Sequence, residues 1–524
     1  MELIIRILTF LESVIYHILR PVFWWVYRKQ PPKIALIKNP ILQLSAVKIA
    51  EKIRQKEVSL SSETVILAYI ERIKEVNPLL NAVVENRFEA AIQDARACDK
   101  KLATGEVTAK ELEIEKPLFG VPVTVKESCA LKGLSHTGCT LARAGIKANY
   151  DSLSVLSLKT AGAIPLCVTN TPELCLGFES QNPLFGTTNN PYDIRKTAGG
   201  SSGGEGALLG SSSSLIGVGS DIAGSIRLPA HLNGVFGHKP TPGIISIEGH
   251  LPFCDGVEFQ KYLVIGPLAR YAEDLALAVK VMANRNTAAL RLDEPVDVKS
   301  LKIRYMEAVE ESFGLISVSE DIKRVIRDGA RYLEGIGADV ERVGDLPIPL
   351  EIFISDVDRS GDEVIRLLPN PNEPINVGLR NNPISELGKL LFGLSRHNSS
   401  AILFKLLRDR VLTYTVTNIS QLFSARSFPK ELLGTNGVFL FPTFVRSAPL
   451  HDQLTLQLAG ALYCLIFNVL GFPATHVPMG LDSEGLPVGV QVVACPFQDR
   501  LCLAVAKELE NGFGGWVPPP QAAV

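Results

Sequence analysis

The 524-residue sequence lacks an excess of either charge. Its 53 Lys and Arg residues stand against 55 Asp and Glu residues, which gives a net charge of -2. A protein that binds nucleic acid needs a positive surface to hold the phosphate backbone. The composition offers no such global field, and we expect no nucleic-acid partner.

The nine cysteines lack the spacing of a metal site. No CxxC pair occurs, and no group of cysteines and histidines follows the spacing of zinc ligands. We therefore predict reduced thiols, mostly buried, and neither a metal ion nor a cofactor.

The first 30 residues lack the uninterrupted apolar run of a simple membrane span. The segment from Leu3 to Tyr27 is long enough to cross a bilayer, but polar and charged residues interrupt it. Five of them recur every three or four residues and share one helical face: Arg6, Thr9, Ser13, His17 and Arg20. This pattern favours a helix that lies in the membrane interface over one that spans it.

Aromatic and basic residues end this segment. They are Phe23, Trp24, Trp25 and Tyr27, followed by Arg28, Lys29 and Lys33. An aromatic belt followed by positive charge is typical of a membrane surface on the cytoplasmic side. We predict a membrane-anchoring helix over residues 1–30, with the rest of the protein facing the cytoplasm. The alternative is an amphipathic helix that packs on its own catalytic body.

The remaining chain alternates helical and strand patterns. Ser45–Asn81 is helical in pattern, Asp151 begins a helix that leads into a strand at Ile164–Val168, and Ser319 begins another that leads to Val340. This alternation predicts an α/β fold with a large, mixed central sheet covered by helices on both faces. We assign residues 40–515 to one catalytic domain, with Pro349–Gly434 as peripheral helices.

A stretch rich in Gly and Ser is the most informative part of the chain. It runs from Gly199 to Gly206 and resumes at Ser220–Arg227. A flexible linker would lack the apolar segment Leu215–Val218 that lies between the two parts. A phosphate-binding loop would need a lysine after the glycines, and none follows. Dense glycines instead allow close approach to a ligand and orient N–H groups toward negative charge.

A nucleophile elbow is the third alternative, because Gly199–Gly203 matches GxSxG. An elbow needs a strand immediately before its serine, whereas the preceding residues are polar and turn-like. It also needs a late histidine, for which His476 is the candidate.

A serine nucleophile requires a base that removes its proton. His231, His238 and His250 follow Ser225, but we expect each to satisfy local hydrogen bonds. Lys126 ends an apolar strand-like run, and an ammonium group withdrawn from water releases its proton more readily. Alone, a lysine that ends a strand is more often a surface residue or an ion-pair partner than a base.

Together these segments resemble the amidase signature family, and within it most closely the fatty acid amide hydrolases of the second type. The matching segments, in the family's order, are Pro122–Glu127, Gly199–Gly206, Gly219–Pro229, Gly237–Pro240, Gly266–Arg270 and Gly485–Gln491. The resemblance implies the amidase signature fold and a serine hydrolase that cleaves amide bonds.

The resemblance also implies the roles of individual residues. Ser225 would attack the carbonyl, Ser201 would relay its proton, and Lys126 would serve as the base, so that an acyl-enzyme forms and is hydrolysed. Backbone N–H groups of Ile222, Ala223, Gly224 and Ser225 would form the oxyanion hole, and Cys175 and Leu176 would line the acyl channel. Asp221 and Arg227 would organise the loop. Ala223 occupies a position that is commonly glycine, and alanine would introduce strain there if φ were positive.

A membrane anchor favours lipophilic, long-chain fatty acid amides as substrates, and it leaves a homodimer open. Two alternatives remain: the glutamine amidotransferase A-type subunit, which would be soluble, and a catalytically weak lipid-binding protein. A glutaminase assay tests the first, and retention of the three catalytic residues argues against the second.

Overall fold

The structure, a computed structural model, describes most of the chain. It covers residues 14–16, 18–57, 60–253, 257–309, 316–344, 432–454 and 460–520, with the single positions 389, 395, 397 and 457. The predicted peripheral helices of Pro349–Gly434 therefore lie almost wholly outside the described residues.

Thirteen strands occur in the described residues. They are β1 (Val83–Asn86), β2 (Pro122–Lys126), β3 (Ile164–Thr169), β4 (Gln181–Asn182), β5 (Gly186–Thr187), β6 (Ile216–Asp221), β7 (Phe236–Lys239), β8 (Val264–Ala269), β9 (Lys302–Tyr305), β10 (Asp339–Arg342), β11 (Gly437–Pro442), β12 (Ala474–Leu481) and β13 (Pro487–Ala494).

Eleven of these strands form one sheet, in the order β1-β3-β2-β6-β8-β7-β12-β13-β11-β9-β10. β2 pairs in parallel with both β3 and β6, whereas β8 pairs antiparallel with both β6 and β7. The predicted mixed central sheet is therefore confirmed.

The middle of the sheet is covered on both faces. Every residue of β2, β3, β6, β7, β8, β11 and β13 is buried. Because successive side chains of a strand point to opposite faces, complete burial requires packing on each side. The sheet's interior is thus shielded from water where β2 and β6 end.

Helices connect the strands. They are α1 (Ala46–Arg54), α2 (Ser62–Leu80), α3 (Phe88–Thr104), α4 (Ala109–Glu115), α5 (Leu153–Thr160), α6 (Gly203–Gly210), α7 (Arg227–Leu232), α8 (Val257–Tyr262), α9 (Ala272–Ala283), α10 (Thr287–Leu290), α11 (Glu320–Gly335), α12 (Leu462–Val469) and α13 (Asp499–Phe513). Short 3-10 helices lie at Pro40–Gln43, Leu141–Arg143, Glu173–Cys175, Asn284–Asn286 and Val298–Ser300.

The predicted helix starts are partly correct. Ser45 caps α1, where its hydroxyl accepts a bond from the N–H of Lys48 at 3.2 Å, and Ser319 precedes α11. The prediction for Asp151 is wrong, because Ser152 occupies the N-cap position of α5. The Asp151 carboxylate instead accepts from the N–H of Lys132 at 2.8 Å, so it stabilises a neighbouring loop.

The N-terminal segment is described from residue 14, and residues 18–26 are helical. Apolar side chains at helical spacing are exposed on it: Ile15, Ile18, Val22 and Trp25. Arg446 donates to the Tyr16 hydroxyl at 3.3 Å, and Arg195 donates to the carbonyl of Tyr27 at 3.1 Å. The helix therefore contacts the body through polar groups while its apolar face is left uncovered by the described residues.

Among the described residues, we find no helix with both the length and the apolar character needed to cross a bilayer. Residues 1–13 and 17 of the predicted anchor lie outside the described part of the chain. The membrane-anchoring role of residues 1–30 stays a prediction.

Candidate active site

Lys126 and Ser220 meet because their strands are neighbours. Lys126 is the last residue of β2, and Ser220 lies one residue before the end of β6. β2 and β6 run in parallel, so both strands end at the same edge of the sheet. The Lys126 Nζ lies 2.9 Å from the Ser220 Oγ.

The same amine contacts Ser201. The Lys126 Nζ lies 2.6 Å from the Ser201 Oγ, and this serine directly precedes the Ser202 cap and helix α6. Lys126 is fully buried, and Ser201 and Ser220 are buried too. The described residues give this buried amine two hydroxyl partners and no carboxylate, which is unusual for a structural lysine.

Ser225 lies in the loop between β6 and α7. Its carbonyl accepts a hydrogen bond from the N–H of Ser202 at 3.1 Å, which ties this loop to the segment that carries Ser201. Ser225 is 4 % exposed. Thus the two serines that are 24 positions apart in the sequence belong to adjacent, bonded backbone segments.

Asp221 and Arg227 hold this loop. The Asp221 carboxylate accepts from the N–H of Gly224 at 2.8 Å and of Ile226 at 3.1 Å, and it pairs with the Arg227 guanidinium at 3.0 Å. Burial alone would raise the pKa of the Asp221 carboxyl, but the charge and hydrogen bonds of Arg227 outweigh it and lower that pKa below its ordinary value. The pair is charged and fixes the turn.

The backbone conformation of this loop shows whether alanine at position 223 is strained. Gly224 has a φ of +109°, whereas Ala223 is not among the residues with positive φ. A Cβ at Gly224 would lie 2.6 Å from the Cβ of Cys464. Glycine is therefore required at 224 for two reasons, its positive φ and the lack of space for a side chain. Alanine at 223 is unstrained, which removes the one feature that favoured a catalytically weak protein.

Three of the four predicted oxyanion-hole donors are available. In the described structure the N–H groups of Ile222, Ala223 and Ser225 have no hydrogen-bond acceptor, whereas the N–H of Gly224 donates to Asp221. Unpaired N–H groups beside a serine hydroxyl can stabilise a developing oxyanion.

Glycines in the first part of the Gly/Ser stretch pack closely against other backbone segments of the protein. A Cβ at Gly200 would lie 2.8 Å from the carbonyl carbon of Phe178, and one at Gly204 would lie 2.6 Å from the N of Asn170. Glu205 is fully buried in the same stretch, and burial raises the pKa of its carboxyl to about 8. These residues set the backbone path that leads to Ser201.

The nucleophile-elbow alternative loses its support. In the described structure no strand leads into Ser201, and the His476 Nδ1 lies 2.7 Å from the Thr443 hydroxyl. His476 also makes an edge contact with the His231 ring, at 5.1 Å between centroids.

Cys175 lies within the electrostatic reach of this site. Burial raises the pKa of its thiol, but the positive charge of Lys126, which is the largest opposing effect, and the nearby His250 and Ser128 outweigh burial and lower the pKa to about 5. The lowering depends on the charge of Lys126.

Leu176 and the loop between β6 and α7 share small apolar clusters. Leu176, Ile222 and Ile247 pack on Leu263, and Ile222 and Ala223 pack on a second cluster. The buried members of the second cluster are Tyr262, Leu465 and Val469. Ile247 also packs against the main core, whereas no member of the second cluster does. An apolar surface therefore adjoins the loop that carries Ser225.

Two residues of the site were missed by the sequence analysis. The sequence motif gave Ser220 no role of its own. For His250 we expected only local hydrogen bonds, and its Nδ1 does make one, to the Pro252 carbonyl, but its Nε2 lies 2.9 Å from the Ser220 Oγ. His231 and His238 do bond elsewhere, to the Arg446 carbonyl and to Thr475. No pattern in the sequence predicts that His250 lies beside the end of β2.

The described residues contain no cluster of His, Cys, Asp or Glu that could hold a metal ion.

Comparisons with known proteins show the family of this chain. The family model named Amidase matches residues 64–354 and 395–503. Fatty-acid amide hydrolase 2 of Homo sapiens is 41 % identical over 498 residues, which cover 92 % of this chain and 91 % of that protein. The A-type subunit of the glutamyl-tRNA(Gln) amidotransferase of Carboxydothermus hydrogenoformans is 30 % identical, over 89 % of this chain and 97 % of that protein.

A solved structure titled Fatty acid amide hydrolase superposes with a TM-score of 0.71 at 24 % identity, covering 91 % of this chain and 86 % of that one. At this identity the likeness concerns the fold.

Proposed function

This chain belongs to the amidase family and is an amide hydrolase close to fatty-acid amide hydrolase 2, and we propose that Ser225 is its nucleophile, with Ser201 and Lys126 as the proton relay. The observation that carries this proposal is the 2.6 Å contact between the Lys126 Nζ and the Ser201 Oγ inside the protein. A buried amine held on a hydroxyl can accept its proton.

The chemistry proceeds in two halves. The Ser225 Oγ bonds to the amide carbon while its proton passes to Ser201, whose own proton passes to the neutral Lys126 amine. The carbonyl oxygen becomes an oxyanion that the N–H groups of Ile222, Ala223 and Ser225 stabilise. The C–N bond then breaks and the leaving amine takes the relayed proton. Water cleaves the resulting ester by the same relay and frees Ser225.

A lipophilic acyl group fits the apolar surface beside the loop. Ile222 and Ala223 directly precede Gly224 and Ser225 in the loop, and Leu176 packs with Ile222 against Leu263. Burial of each methylene contributes about 0.8 kcal/mol. We infer that the substrates are fatty acid amides, with the acyl chain on this surface.

A panel of primary amides with increasing acyl length tests the substrate class. We expect kcat/KM to rise by up to about fourfold per added methylene until the apolar surface is covered, because each one transfers from water to protein. Glutamine and acetamide serve as the short, polar members of the panel. A kcat/KM that is independent of chain length, or highest for glutamine, would contradict the proposal and favour an amidotransferase activity.

Membrane attachment is the second part of the proposal. Ile18, Val22, Trp24 and Trp25 are exposed, and Arg28 and Lys29 follow them. An exposed apolar helix face with aromatic and basic residues at its end suits a membrane interface.

Vesicle flotation tests this attachment. We expect the full chain to float with anionic phospholipid vesicles, and the chain without residues 1–30 to stay in the dense fraction while still hydrolysing a short, soluble amide. The full-length double variant Trp24→Ser, Trp25→Ser is the matched control, since it keeps the helix but loses its interfacial anchors. Equal flotation of all three proteins would exclude an N-terminal anchor.

A further inference from the structure

A row of hydrogen bonds leads away from Lys126 on the side opposite to Ser201. The Lys126 Nζ lies 2.9 Å from the Ser220 Oγ, and the Ser220 Oγ lies 2.9 Å from the His250 Nε2. On the far side of the ring, the His250 Nδ1 lies 2.9 Å from the Pro252 carbonyl oxygen. All the side chains of this row are buried.

The backbone fixes His250 against the strand that carries Lys126. The N–H of Leu251 donates to the carbonyl of Ser128 at 2.7 Å, and the N–H of Ala130 donates to the carbonyl of Gly249 at 2.9 Å. These bonds hold His250 beside the residues that follow Lys126, so the imidazole has little freedom to leave Ser220.

The Pro252 carbonyl determines which atom donates and which accepts in each hydrogen bond of this row. A carbonyl oxygen only accepts, so the Pro252 carbonyl requires the proton of the neutral ring to sit on Nδ1. The His250 Nε2 is then an acceptor with two hydroxyl partners, Ser220 Oγ at 2.9 Å and Ser128 Oγ at 3.2 Å. The nearer one is Ser220, so Nε2 draws the Ser220 O–H toward itself. The Ser220 oxygen is left to accept an N–H from Lys126.

The Lys126 amine has Ser220 as one partner and Ser201 as the other. A neutral amine has two N–H bonds and one lone pair. When one N–H is engaged by Ser220, the amine is oriented and its lone pair can accept the Ser201 O–H. Without His250, the Ser220 hydroxyl is free to donate to that lone pair instead and to compete with Ser201.

We infer that His250 is a positioning residue for the hydrolysis, which orients the Lys126 amine through Ser220 so that its lone pair meets Ser201. This inference rests on the proposed function, since it needs Lys126 as the base. Among the described residues, the His250 ring bonds to Ser220, Ser128 and Pro252 and makes no hydrogen bond to Ser225.

Three variants test this role: His250→Leu, His250→Gln and Ser220→Ala. Leucine fills the space without an acceptor, and we expect it to lower kcat about 10- to 100-fold with little change in KM. Glutamine offers a carbonyl oxygen near the Nε2 position and should restore kcat to within about fivefold of wild type. In a Ser220→Ala background, His250→Leu should have little further effect, because both act through one hydroxyl.

Several outcomes would overturn the inference. An unchanged kcat in His250→Leu, equal losses in the Leu and Gln variants, or independent losses in the double variant would each show that His250 does not act through Ser220. If His250→Leu does not fold, as judged by its melting temperature, His250→Gln and Ser220→Ala alone and combined give the same comparison.

Labelling of the wild-type protein separates this inference from the proposed function. A fluorophosphonate that fails to label Ser225 contradicts the proposed nucleophile. Normal labelling of Ser225 together with unchanged rates in the His250 variants contradicts only the role of His250.

Discussion

Replacing Ser225 with alanine is expected to abolish covalent labelling by a fluorophosphonate and to lower amide hydrolysis by about four to six orders of magnitude. The variant removes the atom that bonds to the carbonyl carbon, while the loop around it stays tied by Asp221 to Gly224 and Ile226. The carbonyl of residue 225 still accepts from Ser202, so folding should be preserved. Rates of labelling and of fatty acid amide hydrolysis measure the loss.

The exposed Ser483, on the turn between β12 and β13, offers a matched control. Ser483→Ala also removes a serine hydroxyl, but one outside the candidate site. It should leave the rates of labelling and of amide hydrolysis at the wild-type level. Labelling that persists in Ser225→Ala would show that another serine is the nucleophile, and Ser201→Ala would then be the variant to compare.

The position of Lys126 was accessible from the sequence because it is a local property. An apolar run that ends in lysine predicts a strand end, and β2 does end at Lys126. The mixed sheet followed likewise from alternating helix and strand patterns. Ser201 and Ser225 were identified by the resemblance of whole motifs, since a lone serine in a glycine-rich segment carries little information.

Contacts between distant segments were not accessible. The bond between His250 and Ser220 depends on how the chain after β7 returns to β2, and no periodicity encodes that path. The packing of Gly200 and Gly204 against distant backbone is of the same kind. The prediction of the start of α5 was wrong for a different reason. Asp151 and Ser152 are both good N-cap residues, and the hydrogen bond from the Lys132 N–H to Asp151 leaves Ser152 as the cap.

The strain anticipated at Ala223 shows the limit of comparing single letters. The motif places a glycine there commonly, but positive φ occurs one residue later, at Gly224. The N–H of Ala223 has no acceptor among the described residues, so alanine keeps the feature that an oxyanion hole uses. The side chain it adds lies in the cluster with Tyr262, Leu465 and Val469.

Lys126→Met should lower the hydrolysis rate about 10²- to 10⁴-fold, the range expected for loss of a general base. Methionine has a similar length and fills the buried site, but it cannot accept the Ser201 proton. The exposed Lys132 provides the control, and Lys132→Met should leave the rate unchanged.

Cys175 gives this variant a second readout that does not depend on turnover. With Lys126 charged, the pKa of the Cys175 thiol is about 5, so the thiolate dominates above that pH. In Lys126→Met the lowering charge is gone and burial raises the pKa, so alkylation of Cys175 by iodoacetamide near neutral pH should slow. Slow hydrolysis with unchanged alkylation of Cys175 would show that Lys126 is already in the neutral form that the proposed relay uses. Unchanged hydrolysis would mean that Ser201 passes its proton to another group.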